Sequence, residues 1–514
     1  MTHNSFYFLP LFALAGCAGK TEKPNVIIII ADDLGYGDVS AYGSTTISTP
    51  NIDRLAKGGV SFTNGYSTSA TSTPSRYALM TGLYPMKNND AKILPGDAPL
   101  IIGEKQYTLP RMMQQNGYVT GAVGKWHLGM GRGKVNWNKE ITPGAKQVGF
   151  DYSYLMAATN DRVPTVYIEN GRVVGLDPND PIEVSYEENF DGEPTSVTNP
   201  EMLKLEAHYG HDNTIVNGIG RIGFMKGGKA ARWVDEDMAD NFLEKVKCFI
   251  DQNKKKPFFL YYGLHQPHAP RVPNQRFVGS TTMGARGDVI MEADWCVGQL
   301  IDHLEKNRLL ENTLIIFSSD NGPVLIDGYR DNAHRLAGNH KPAGGLRSGK
   351  YSLFDAGTHV PFFAYWKGRI KPTVSDALIC QIDLAASLAA LTGSTLPAGL
   401  DSQNLLPALL GKNKQGRGEL LLEAEGRFAF RKGDWVLIPP YNGWAYHYVD
   451  MDEGIIGNEM GNLPDYALYN LKTDPSQKEN LVTQEPERFE QMKDEFLAIT
   501  NGYRTRQLRN NVPH

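Results

Sequence analysis

The apolar positions of the chain fall into two kinds of run. Asn25-Val-Ile-Ile-Ile-Ile-Ala31 is an unbroken, mostly β-branched stretch that stops at Asp32-Asp33. Strands buried on both faces read this way, so the run predicts a central strand of a parallel sheet. Phe258 to Tyr262, after Lys256-Pro257, and Thr313 to Phe317, before Ser318-Ser319-Asp320, repeat the pattern. Helical spacing covers Asp235 to Gln252 and Ile290 to Lys306. Strands alternating with helices predict an α/β fold built on a large, mostly parallel sheet flanked by helices. Ligands of such sheets sit beyond the carboxyl ends of the strands, where Asp32-Asp33 and Asp320-Asn321 fall.

After Gly411 the texture changes. Arg427 to Ile438 alternates around Lys432-Gly433 and predicts a hairpin, and Glu485 to Thr500 predicts a last helix. The expected division is a leader over 1–17, a polar tether over 18–23, a catalytic domain over 24–410 and a small α+β subdomain over 411–514.

Composition narrows the class. The 514 residues are 41% hydrophobic and 21% charged, which excludes disorder as the main state. A net charge of −5 argues against a nucleic-acid partner. Four cysteines are too few for a disulfide scaffold, and Cys248, Cys296 and Cys380 are expected to be buried apolar packing. Phe6 to Ala15 is apolar but far short of the ~20 residues that span a bilayer, so it reads as part of a signal peptide. Leu14-Ala15-Gly16-Cys17 resembles the lipobox of bacterial lipoproteins, which implies lipidation of Cys17. The protein is therefore expected in the periplasm or at the cell surface, held to the outer membrane by its lipid alone.

The candidate chemistry starts at the strand ends. Asp32 and Asp33 are neighbours, so they can reach one site only where the strand has given way to a loop, with Gly35 and Gly37 lending backbone freedom. Asp320-Asn321 adds a carboxylate and an amide oxygen. All are oxygen donors and no Cys/His cluster with zinc spacing accompanies them, so Ca2+ or Mg2+ is the expected ion.

Ser72-Thr-Pro-Ser-Arg76-Tyr-Ala-Leu-Met-Thr81-Gly82 resembles the signature of the sulfatases, in which the first residue is oxidised to formylglycine. Gly124-Lys125-Trp126-His127-Leu128-Gly129, His265-Gln-Pro-His268-Ala-Pro270 and Arg347-Ser-Gly-Lys350 resemble further blocks of that family, in family order. Asp355-Ala356-Gly357 and His359 depart from its acidic-Gly-Gly and Arg. Ala429 to Trp435 and Leu468 to Leu481 resemble its C-terminal part, so the likeness runs from residue 24 to about 500.

The resemblance to formylglycine-dependent sulfatases of the alkaline phosphatase superfamily implies roles. Asp32, Asp33, Asp320 and Asn321 would hold Ca2+ (Mg2+ second), which touches residue 72 and the sulfate. Lys125 and Lys350 would clamp sulfate oxygens, and Arg76 would stabilise the hydrated aldehyde. A formylglycine hydrate carries two hydroxyls on one carbon, so one attacks sulfur and the other later expels sulfate. His268 is the candidate acid on the leaving oxygen and His127 the candidate base. A Ser at position 72 implies maturation by a radical-SAM sulfatase-maturing enzyme. The expected substrate is a sulfated glycan, with terminal galactose or N-acetylgalactosamine sulfate of mucin O-glycans, glycosaminoglycans or galactans favoured. His265, Arg347 and His334 are candidates for binding it, together with Asp161, Arg162 and His211 of a polar stretch from Asn160 to Lys229 that also holds His208. Two other readings stay open: a phosphatase or phosphodiesterase of the same superfamily, and a non-enzymatic glycan-binding lipoprotein.

Overall fold

A computed structural model describes residues 23–207 and 210–500. Cys17 and His208 lie outside the described residues, as do the leader and most of the tether. The strands of the two larger sheets are β1 (Asn25–Ala31), β2 (Val60–Phe62), β3 (Val119–Lys125), β4 (Tyr152–Met156), β5 (Tyr167–Glu169), β6 (Arg172–Val173), β7 (Phe258–Gly263), β8 (Thr313–Ser319), β9 (Phe362–Tyr365), β10 (Thr373–Ser375), β11 (Glu419–Ala424), β12 (Arg427–Lys432), β13 (Trp435–Ile438) and β14 (Ala467–Asn470). The first ten form one sheet in the order β10-β2-β9-β8-β1-β7-β3-β4-β5-β6. Its centre, from β8 to β4, is parallel, and β9 and β5 close that centre antiparallel on either side.

β1 is the middle of this arrangement, with Ile28 opposite Tyr261 on one side and Ile316 on the other. Its side chains alternate between two cores. Val26, Ile28 and Ile30 pack with Met80, Leu384 and Leu388. Ile27 and Ile29 pack with Phe242, Val246, Ile290 and Leu300 from the helices Met238–Asn253 and Gly284–Lys306. Truncating one such isoleucine to alanine costs about 2–5 kcal/mol, so this run anchors the fold as well as the site.

The helix expected from Ile290 begins at Gly284, and a 3-10 turn at Asp235–Asp237 precedes the helix that starts at Met238. β11 to β14 form the second, antiparallel sheet, and Met492 and Phe496 of the helix Pro486–Thr500 are buried in its core. That core also includes Tyr66, Ala70 and Ala78, which joins it to the loop and helix around Ser72. Of the three cysteines expected to be buried, Cys296 and Cys380 are, whereas Cys248 is exposed. The apolar stripe of its helix runs through Phe242, Val246 and Phe249 instead.

Candidate active site

β1, β8, β3 and β7 end on the same edge of the sheet, and the loops that follow them carry the candidate residues. The chain turns sharply after β1: Asp33 takes a left-handed φ of 65°. That turn lets two adjacent carboxylates face one site, which an extended strand forbids. Asp33 N–H donates to Asp320 Oδ1 and Leu34 N–H to Ser319 Oγ, so the ends of β1 and β8 are laced together. Gly35 and Gly37 serve a different purpose from the expected freedom. A Cβ on Gly35 would lie 2.2 Å from the carbonyl oxygen of Pro342, and one on Gly37 2.1 Å from that of Lys341. Glycine is needed there for close approach.

Ser72 opens the helix Ser72–Thr81, which packs beside β1. Its Oγ donates to Asp320 Oδ2 over 2.6 Å and accepts from Lys125 Nζ over 2.7 Å. Lys125, the last residue of β3, also donates to Asp32 Oδ1 over 2.6 Å. Arg76, one helical turn beyond Ser72, donates through Nε and Nη2 to Asp320 Oδ2 at 3.0 and 2.8 Å. It also donates to the hydroxyl of Tyr261. Lys350 bridges Asp33 Oδ2 at 2.9 Å and Asp327 Oδ2 at 2.8 Å. All of these groups are buried except Asp327, which is partly exposed.

Burial sets the electrostatics. It pushes the Asp32 carboxyl well up, with Asp320 and Asp33 adding to the push against Lys125, and it lowers the Lys125 ammonium. Burial also pushes Asp320 upward, but Arg76 and Lys125 outweigh it and hold this carboxylate down. Asp327 and Asp33 outweigh burial at Lys350 and hold it charged. A hard divalent cation fits the cluster. Asp32 Oδ2 is buried with no hydrogen-bond partner, and Asn321, held through Nδ2 by Asp33 Oδ1 at 2.7 Å, leaves Oδ1 toward Ser72. Oxygen donors in this number are what such an ion selects. Asp32 and Asp33 also come together with a ring nitrogen of His268, ligand atoms within 4.8 Å of one another.

A cavity of about 60 Å³ lies above this cluster, bounded by Ser72, His127, Asp161, Arg162, His268 and Lys350 among others. The two candidate histidines present opposite nitrogens. His127 Nε2 faces the Leu94 carbonyl at 3.1 Å and must carry the proton, which leaves the lone pair on Nδ1, a buried atom without a partner. His268 Nδ1 donates to the Ala269 carbonyl at 2.6 Å, with Asn160 Oδ1 at 3.2 Å, so its Nε2 is the free nitrogen, 3.9 Å from Asp33 Oδ2. Burial and Lys350 push His268 down to about 4, and burial and Lys125 push His127 well below its ordinary value.

The residues proposed for the sugar divide. Asp161, Arg162 and His211 stand together at the cavity. Arg162 Nη1 donates to both Asp161 oxygens at 2.8 and 3.0 Å, and His211 Nε2 lies 3.2 Å from Asp161 Oδ2. Against the upward push of burial, Arg162 and the His211 hydrogen bond hold Asp161 well below the carboxylate range. The other three sit elsewhere. Arg347 is turned to the C-terminal part, where it donates to Glu459 Oε2 at 2.6 Å and stacks 3.7 Å over Phe354. Ser348, between them, takes a positive φ, and Lys350 reaches the cavity where Arg347 does not. His334 lines a separate cleft, and His265 is buried against Phe242, pushed down to about 3 by burial and by His268. Asp327 and Asn160 are site residues that no sequence block marks. Asp327 stands seven positions past Asp320 in an irregular loop, and only its acidity in that loop is a signal.

Comparison with known proteins agrees over most of the chain. The family model described as Sulfatase matches residues 24–394. An N-acetylgalactosamine-6-O-sulfatase of Bacteroides thetaiotaomicron is 49% identical over 486 residues, covering 92% of this chain and 94% of that protein. Human arylsulfatase A is 31% identical over 488 residues, covering 92% of this chain and 86% of the other. A solved structure from work on the metabolism of multiple glycosaminoglycans by Bacteroides thetaiotaomicron superposes with a TM-score of 0.90 at 48% identity, covering 93% of this chain and 99% of that one.

Proposed function

The chain belongs to the sulfatase family and hydrolyses sulfate esters on glycans; from that premise we propose that its substrate is a terminal N-acetylgalactosamine or galactose bearing a 6-O-sulfate. The observation that carries the reading is the convergence of Lys125, Asp320 and Asp32 on Ser72 Oγ at the floor of a cavity. A superfamily phosphatase could also use a hydroxyl beside carboxylates, so the family match over residues 24–394 decides for sulfate, and a binding lipoprotein has no use for buried Lys125 and Lys350.

A sulfate monoester keeps its charge beside the sulfur and repels nucleophiles, so fixed positive groups in a dry cavity are required. Lys125 is aimed at the oxygen of residue 72, and Lys350 stands at the cavity wall where sulfate oxygens would lie. Arg76 works one step back by fixing Asp320. Asp32, Asp33, Asp320 and Asn321 would hold Ca2+, or less favourably Mg2+, which when bound supplies further positive charge beside the sulfate. Formylglycine at position 72 supplies the paired hydroxyls that let the sulfated enzyme break down. His268, through Nε2, would hand a proton to the leaving sugar oxygen, because the incoming anion favours the imidazolium. His127, through Nδ1, would take the proton whose loss releases sulfate. Asp161, Arg162 and His211 are the groups that would read the hydroxyls of the sugar.

We assign export and lipid anchoring at Cys17, and maturation by a radical-SAM enzyme, to the same reading. The test is a panel of 2-, 3-, 4- and 6-O-sulfated galactose, N-acetylgalactosamine and N-acetylglucosamine offered to the matured protein. Sulfate release from the 6-O-sulfated galacto-sugars is expected. Preference for a 2-, 3- or 4-O-sulfate, or for the gluco-sugar, overturns the assignment.

A further inference from the structure

A large concave feature among the described residues lies outside the catalytic machinery. A cleft of about 540 Å³ lies beside the sulfate cavity, lined by Glu206, Tyr329, Arg330, His334, Arg335 and Tyr448 among others. Its volume falls in the range of about 300–1,000 Å³ typical of sites for small organic ligands. The neighbouring cavity, at about 60 Å³, takes little beyond the ester group and the face of its sugar.

The two spaces share a wall one chain thick. Asp327 bounds the cavity, while Ile326, Gly328 and Tyr329 line the cleft. Gly328 takes a φ of 79°, and a Cβ there would lie 2.0 Å from His211 Nδ1, so the wall rests directly on a cavity residue. Tyr329 meets the His211 ring edge-on at 5.0 Å between centroids, and its hydroxyl donates to the Gly220 carbonyl at 2.8 Å. A chain of sugars whose first residue sits by Asp161, Arg162 and His211 needs to cross only this wall to enter the cleft.

The lining suits such a chain. Three distant segments meet: Glu206, the stretch from Leu325 to Arg335, and the arm from Tyr448 to Ile455. Arg330 ties the outer two by donating to Glu206 Oε1 at 3.0 Å and to Glu453. Tyr329 and Tyr448 are largely buried beneath the lining, so the exposed guanidinium of Arg335 and the partly exposed imidazole of His334 are the groups that would meet vicinal hydroxyls, beside the linked Glu206, Arg330 and Glu453. Arg335, on the short helix Ala333–Leu336, is exposed at the rim beside His334.

We propose that this cleft binds the sugar residues joined to the sulfated one, so that the protein selects an oligosaccharide rather than a free sulfated monosaccharide. The proposal rests on the sulfatase reading above and adds where the rest of the glycan lies. The measurement is kcat/KM of the matured protein on 6-O-sulfated N-acetylgalactosamine and on a chondroitin-type tetrasaccharide ending in that residue. The tetrasaccharide is expected to be favoured by about tenfold, equal to about 1.4 kcal/mol. Arg335→Ala combined with His334→Ala should bring that ratio close to one, and Arg335→Glu is the second variant should the pair fold poorly. A wild-type ratio near one, or a ratio untouched by both variants, overturns the proposal. If wild type turns over neither substrate, the 6-O-sulfate reading fails instead, and saturation-transfer NMR of Ser72→Ala with the unsulfated tetrasaccharide decides the cleft separately. Binding lost in Arg335→Glu supports it, and absence of binding sinks it.

Discussion

The ammonium of Lys125 donates to the hydroxyl of Ser72 over 2.7 Å, with both groups shut away from solvent. Lys125 is also the partner of Asp32, so its loss strikes chemistry and stability together. Lys125→Met should lower kcat by about 10²–10³, the usual effect of removing one charge-stabilising donor from an active site. In metal-free buffer it should also cost about 3 kcal/mol, because a buried carboxylate loses its partner. Thermal unfolding with and without chelator reads the second effect, and an unchanged Tm in chelator would argue against the pairing.

Metal removal has a predicted sign. Asp32, Asp33 and Asp320 crowd one buried spot, and burial with mutual repulsion pushes Asp32 up. A chelator should lower Tm by several degrees and abolish turnover, and Ca2+ should restore both more fully than Mg2+. Calorimetric titration of the stripped protein checks it directly; recovery with Zn2+ alone would contradict the oxygen-donor reading.

His268 can be separated from the nucleophile by the leaving group. A sugar alkoxide needs a proton as it departs and a nitrophenolate scarcely does. His268→Ala should therefore lose about 10²–10⁴ in kcat on a sugar sulfate but far less on an aryl sulfate. Equal losses on both would remove His268 from the acid role.

Glu292 gives a pH prediction away from the reacting atoms. Burial raises it to about 7, although it accepts from Gln266 Nε2 at 3.0 Å and from the Asn274 N–H at 3.0 Å. Its folded value lies above the ordinary 4.5, so between about 4.5 and 7 the folded protein holds the proton that the unfolded chain has lost. Stability from this group thus falls as pH rises through that window, by about 3 kcal/mol in all, and stays low above it. Glu292→Gln should recover much of this at pH 8 and little at pH 5. Gln266 Oε1, buried without a partner, can turn to accept from the new amide. Denaturant melts at the two pH values test it, and an equal effect at both would refute it.

Expression without the maturase tests the nucleophile. The protein should fold, carry an unaltered Ser72 and release no sulfate. With the maturase, the peptide containing residue 72 should be lighter by two hydrogen atoms and activity should appear. Turnover by protein whose Ser72 is intact would remove formylglycine from the account.

The sheet was legible because unbroken β-branched runs have few other places to go, and the strand-end acids followed from the sheet. The lysines and histidines came from blocks whose spacing survives folding. What sequence could not supply was side-chain direction in irregular loops. Arg347 stands three positions from Lys350, yet with positive φ at Ser348 between them the first meets Glu459 and the second Asp33. His334 shared its segment with nothing that marked it as remote from Ser72. Asp327 was silent because it meets Lys350 and Tyr351 from an irregular loop, and Asn160, legible only as the start of the polar stretch, meets His268 across 108 positions.

The burial of Ser72, at 4% of its surface exposed, carries a consequence in time rather than in space. Its neighbours Asp32, Lys125 and Asp320 arrive from strands spread over nearly three hundred positions, and once they close no second enzyme can wrap its own active site around the serine. On the proposed reading, oxidation and folding would compete for the same chain. A maturase would have to act before the sheet forms, and a slower-folding variant should be more completely modified than the wild type.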